Sequence, residues 1–115
     1  MKAEQLFELM RTTWPPSVDL SDAQLVGSDG MLSRVLNDLE EEVSERLKDA
    51  PQLVQAAIWP FHQALHGLAR SRFVAGQSSV SPSEVDFADF HHFLVECLNM
   101  PERSDELAEF RSHNP

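Results

Sequence analysis

The stretch Ala50–Ser83, APQLVQAAIWPFHQALHGLARSRFVAGQSSVSPS, runs for 34 residues without a carboxylate. Its flanks are acidic: residues 1–49 carry 11 acids and 5 bases, and residues 84–115 carry 8 acids and 2 bases. Within the stretch, Leu53, Val54, Ala57, Ile58, Phe61, Leu65, Leu68 and Phe73 recur at intervals of three and four, which is helical spacing and not strand spacing. A helix that is apolar over most of its circumference is one its neighbours cover, so this segment is expected at the centre of the fold. Pro51 suits a first helical position. Pro60 removes one backbone hydrogen bond and clashes with the carbonyl of Ala56, giving either a kink or two helices in sequence; a kink is the expected form.

On the N-terminal side, Leu32, Val35, Leu36, Leu39, Val43 and Leu47 predict an amphipathic helix of about 18 residues starting near Gly30. Glu40, Glu41, Glu42, Glu45 and Lys48 fall on its outer face. The tight turn Asp49-Ala50-Pro51 makes it an antiparallel neighbour of the central helix. Further upstream, Ser21-Asp22-Ala23-Gln24 has the form of a capping box that opens a single turn, ended by Gly27. Ala3 to about Arg11 forms a short helix with Leu6, Phe7 and Met10 on one side, stopped by Trp14-Pro15-Pro16. On the C-terminal side, Ser81-Pro82-Ser83-Glu84 signals a helix start. Phe87, Phe90, Phe93, Leu94, Cys97 and Leu98 then make an aromatic-rich face. Pro101 ends this helix or begins a short last one holding Leu107 and Phe110.

The fold class that follows is all-α: a small helical bundle of three to four main helices with a short N-terminal amphipathic helix. Residues 1–16 form that helix and a proline hinge, 17–111 a single helical domain, and 112–115 a frayed tail. A chain of 115 residues, 42% hydrophobic and 24% charged, suffices for one domain and buries roughly two-thirds of its unfolded surface. A formal charge of −10 argues against nucleic acid and anionic membranes as partners. One cysteine, no apolar run near ~18 residues and no signal-peptide pattern make a cytoplasmic location the expectation.

No catalytic signature stands out, and the expectation is a protein that is not an enzyme and carries no cofactor. His62 and His66 have the i, i+4 spacing that lets two imidazoles meet one metal, yet no spacing supplies further ligands, and the Glu that metalloprotease chemistry places beside the first His is absent. They read better as interfacial or half-exposed histidines. Cys97 sits on an apolar helix side with Glu84, Asp86, Asp89 and Glu96 nearby in sequence, a setting that works against a thiolate. The four glycines form no phosphate loop. The run Asp38, Glu40, Glu41, Glu42 and Glu45 is either a dock for a basic partner or the solvated face of a helix.

Two features point to protein binding. The N-terminal helix is too short to hold its form alone in water, so Leu6, Phe7 and Met10 pack either on the chain's own core or in a partner's groove. Trp59, with His62, His66 and Arg70, lies beside the central apolar stripe, an interface-like strip or a cover for the core edge. Leu6, Phe7, Met10, Trp14, Trp59, His62 and His66 are therefore the candidate partner-binding residues. A homodimer is expected, because seven Phe and two Trp exceed what short helices readily hide.

The length, the acidic helical plan and the segments Ala57-Ile58-Trp59-Pro60-Phe61-His62-Gln63-Ala64-Leu65 and Asp86-Phe87-Ala88-Asp89-Phe90-His91-His92-Phe93 resemble the QslA-type quorum-sensing antiactivators. The resemblance implies a small dimeric helical protein that binds the ligand-binding domain of a LuxR-type activator and keeps it from dimerising and reaching DNA. It brings no catalytic residues. The alternatives are a stoichiometric antagonist of another target, such as a toxin-immunity or anti-defence protein with an acidic docking face, and a small metal-binding protein.

Overall fold

A computed structural model of the chain describes residues 2–98. The short last helix expected around Leu107 and Phe110, the boundary at 111 and the tail from Ser112 lie outside the described residues. In chain order the elements are α1 (Ala3–Thr13), β1 (Val18–Asp19), α2 (Ser21–Val26), α3 (Asp29–Arg46), α4 (Gln52–Ala56), α5 (Ile58–Val74), β2 (Ser79–Val80), a 3₁₀ turn (Pro82–Glu84) and α6 (Phe87–Leu98). The fold is a small all-α bundle, as the apolar spacing predicts. Among the described residues it also holds a two-stranded antiparallel ribbon, with Val18 opposite Val80 and Asp19 opposite Ser79.

The acid-free segment supplies the centre: α5 packs against α3, α6, α1, α4 and β2. Ile58, Phe61, Ala64, Leu65 and Ala69 are buried along it. Around them lie Leu32, Leu36 and Val43 of α3 and Phe90 and Leu94 of α6. The kink expected at Pro60 is instead a break between two helices at Ala57. Pro60 has no N–H to give the carbonyl of Ala56, and its ring excludes that carbonyl, so α4 ends there. The N–H of Ala57 turns back to Val54 O at 3.1 Å. Restarting the helix at Ile58 places Pro60 in a first turn, where a missing N–H costs nothing. Gln55 fastens the preceding turn by donating to Lys48 O (3.1 Å) and Ala50 O (2.9 Å).

Both capping boxes differ from their sequence reading. Gln24 does not return to Ser21; its amide donates to Phe73 O (2.8 Å) and Gln77 O (2.7 Å), tying α2 to the end of α5. Ser21 is instead held by Asp19 Oδ1, which accepts from its N–H (2.9 Å) and hydroxyl (2.6 Å). The Ser81–Glu84 box is present but opens only the 3₁₀ turn. The long helix starts three residues later, where Asp86 Oδ1 accepts from the N–H of Ala88 at 3.1 Å.

Candidate interaction surfaces

α1 folds back on the chain's own core. Leu6 and Met10 are fully buried, Trp14 is 2% exposed and Phe7 8%. The Phe7 ring lies 5.3 Å from Phe87, 5.4 Å from Phe90 and 6.2 Å from Phe61, centroid to centroid. Trp14 lies 5.4 Å from Phe61. These four candidate residues are thus not surface anchors in this fold, a correction with a plain physical cause. The aromatic rings of α5 and α6 leave an apolar slot, and filling it inside the chain buries the stripe of α1 without the entropic cost of association. The proline hinge is pinned as well: Arg46 donates to Thr13 O at 3.2 Å, and the Ser81 hydroxyl donates to Pro16 O at 2.9 Å.

Trp59, His62 and His66 do share one side of α5, but they do not form an open strip. Trp59 is half-buried, edge-on to Phe93 at 6.3 Å, and borders a small cavity of about 160 Å³ with Glu40, Ser44, Gln55 and Ile58. His62 is buried, a correction to its reading as a surface contact. Its Nδ1 is 3.1 Å from Glu40 Oε2, and its ring stacks toward Trp14 at 6.3 Å. The Gln63 side-chain amide nitrogen lies 3.2 Å from the same Nδ1, so Glu40 and Gln63 both meet this ring nitrogen. Half-buried His66 pairs through Nε2 with the Ser33 hydroxyl at 3.2 Å.

Burial lowers the pKa of His62 from its ordinary 6.5; the Glu40 carboxylate opposes that shift and His66 adds to it. The imidazole is therefore held neutral in the fold. The two histidines that share metal-binding spacing are turned to separate partners on α3. Among the described residues no group of three or more His, Cys, Asp or Glu is placed to hold a metal ion. Cys97 is buried. No described helix is long and apolar enough to cross a membrane.

The surface that sequence reasoning missed is at the opposite end of α5 from the proline. Gln24 clamps α2 to Phe73 and Gln77 there. That clamp sets Leu25, Val26 and Val74 at one end of the bundle, 87%, 60% and 76% exposed. By contrast, the described phenylalanines and both tryptophans are all buried or half-buried. Among the described residues the large exposed apolar side chains are thus aliphatic.

No family model, curated protein or solved structure matches this chain.

Proposed function

We propose that this chain is a small acidic protein-binding inhibitor that sequesters a transcriptional activator, the LuxR-type quorum-sensing class being the target its sequence resemblance suggests. In this reading it acts by occupying the activator's protein surface, so that the activator neither dimerises nor binds DNA. The observation that supports it is the exposed aliphatic end formed by Leu25, Val26 and Val74 on a chain of net charge −10. Large apolar side chains held in solvent are what a protein contact would cover, and the charge disfavours direct competition for DNA phosphates. The N-terminal helix, in this reading, supports the bundle and does not itself reach the partner.

The test is binding of the purified ligand-binding domain of such an activator, read by sedimentation velocity, together with loss of the activator's gel shift on its operator. A complex is expected that tolerates raised salt and is weakened tenfold or more, about 1.4 kcal/mol, by Leu25→Glu or Val74→Glu. Sedimentation of the chain alone reads its own state, proposed as a homodimer. Absence of a complex with the folded wild-type chain overturns the proposal.

A further inference from the structure

Between the proline hinge with β1 and the middle of α3 lies a groove of about 330 Å³. Its apolar floor is Pro15, Val18, Val35 and Leu39. Its rim is acidic: Asp19 on one side, Asp38 and Glu42 on the other. Val35, Asp38, Leu39 and Glu42 stand at i, i+3, i+4 and i+7, so one face of α3 presents them together. No described cation lies within ion-pair distance of these three carboxylates. Asp19 is also held in place, since both bonds from Ser21 fall on one of its oxygens. Those bonds keep its carboxyl below the usual range and so keep it charged.

Charge discriminates among the candidate occupants. A second copy would bring another net −10 and set one acidic rim against another. The chain's own residues 99–115 carry Glu102, Asp105, Glu106 and Glu109 against Arg103 and Arg111, again an excess of acid. Both are mismatched to the rim, while a cationic segment with apolar side chains matches rim and floor together.

We propose that this groove docks a cationic amphipathic segment of a protein partner, its apolar side chains on Val35 and Leu39 and its Lys or Arg side chains on Asp19, Asp38 and Glu42. This rests on the reading of the chain as a protein-binding molecule, and it uses residues separate from the Leu25–Val26–Val74 end.

The probe is a fluorescein-labelled peptide of Lys and Leu patterned as an amphipathic helix, with a scrambled peptide of the same composition as control. Affinity is read by anisotropy and position by backbone-amide shifts of the full chain. Saturable binding is expected, with shifts centred on residues 15–19 and 35–42. The pair Asp38→Lys, Glu42→Lys is expected to weaken it about tenfold or more, against less than about threefold for Glu41→Lys, Glu45→Lys, the same charge change on the same helix outside the groove. Val35→Ser is expected to weaken binding severalfold with an unchanged circular dichroism spectrum. Equal losses for the two charge pairs, equal binding of the scrambled peptide, or no binding at all overturns the proposal. So does self-association of the wild type that Asp38→Lys, Glu42→Lys abolishes, which would give the groove to a second copy. Leu25→Glu leaves peptide binding intact, and no activator is present, so failure here is distinct from failure of the sequestration reading.

Discussion

Phe7→Ala separates a helix that belongs to the core from one that waits for a partner. Phe7 is 8% exposed and its ring is surrounded by Phe61, Phe87 and Phe90. Truncating a buried phenylalanine costs about 3–5 kcal/mol in lost transfer energy and residual cavity. Aromatic pairs add about 0.5–1.5 kcal/mol beyond burial, which places this site toward the upper part of that range. Against a total domain stability of about 5–15 kcal/mol the loss is about a fifth or more. At about 4 °C per kcal/mol for a domain of this size, the midpoint falls by about 12–20 °C. The assay is thermal and urea denaturation followed by circular dichroism, with Leu25→Ser as control. Leu25 is 87% exposed, and its replacement is expected within about 0.5 kcal/mol of wild type. A midpoint lowered by less than about 4 °C in Phe7→Ala, with the urea slope unchanged, would refute the packing of α1 and return Phe7 to the role of a surface anchor.

Gly67 lies exposed within α5, and a Cβ added there meets nothing within 4 Å, so Gly67→Ala is expected to stabilise by about 0.5–1 kcal/mol; Gly27 has the same open space but a φ of +68°, and Gly27→Ala is expected to cost about 1–2 kcal/mol, both read from urea midpoints. His62 gives a pH dependence of fixed sign. Its native pKa is below the ordinary 6.5, so the unfolded chain takes up the proton first as pH falls, and stability drops from about pH 6.5 downward until the native pKa is passed. Urea midpoints at about pH 7.5 and about pH 5.5 should show a smaller acid loss in His62→Gln than in wild type, and an equal loss in both would remove His62 as the cause.

The fold was legible wherever burial left a period. Leu32, Leu36 and Val43 face the core because α3 has to hide one stripe, and the absence of carboxylates marks α5 as the helix its neighbours enclose. What stayed hidden depended on partners far along the chain. Pro60 forbids a bond at Ala56, but the choice between bending and restarting is settled by where the new first turn can begin. Gln24 has the spacing of a local cap, yet its amide reaches the carbonyls of Phe73 and Gln77, acceptors the chain brings near only after α5 is docked. β1 and β2 are two residues each, too short to register as a period, and exist because the loops holding them are pinned by Ser81 and by Leu20, whose N–H donates to Ser78 O at 2.7 Å.

The candidate interaction surface was less legible, because an amphipathic stripe states that something covers it and not what does. For Leu6, Phe7, Met10 and Trp14 the cover is internal, since α5 and α6 present rings of matching size. Leu25, Val26 and Val74 have ordinary core composition, and only the clamp at Gln24 shows that they end outside. Moving the candidate contact from α1 to this end changes its chemistry from aromatic to aliphatic. That has an energetic consequence: aliphatic anchors carry less of an interface each than tryptophan or tyrosine, so three such residues support a tight complex only with further contacts. The acidic groove along Val35, Asp38, Leu39 and Glu42 combines an apolar floor with charge. A partner that engages both regions spreads its binding energy over two modest patches, and single substitutions at either would then weaken the complex without abolishing it.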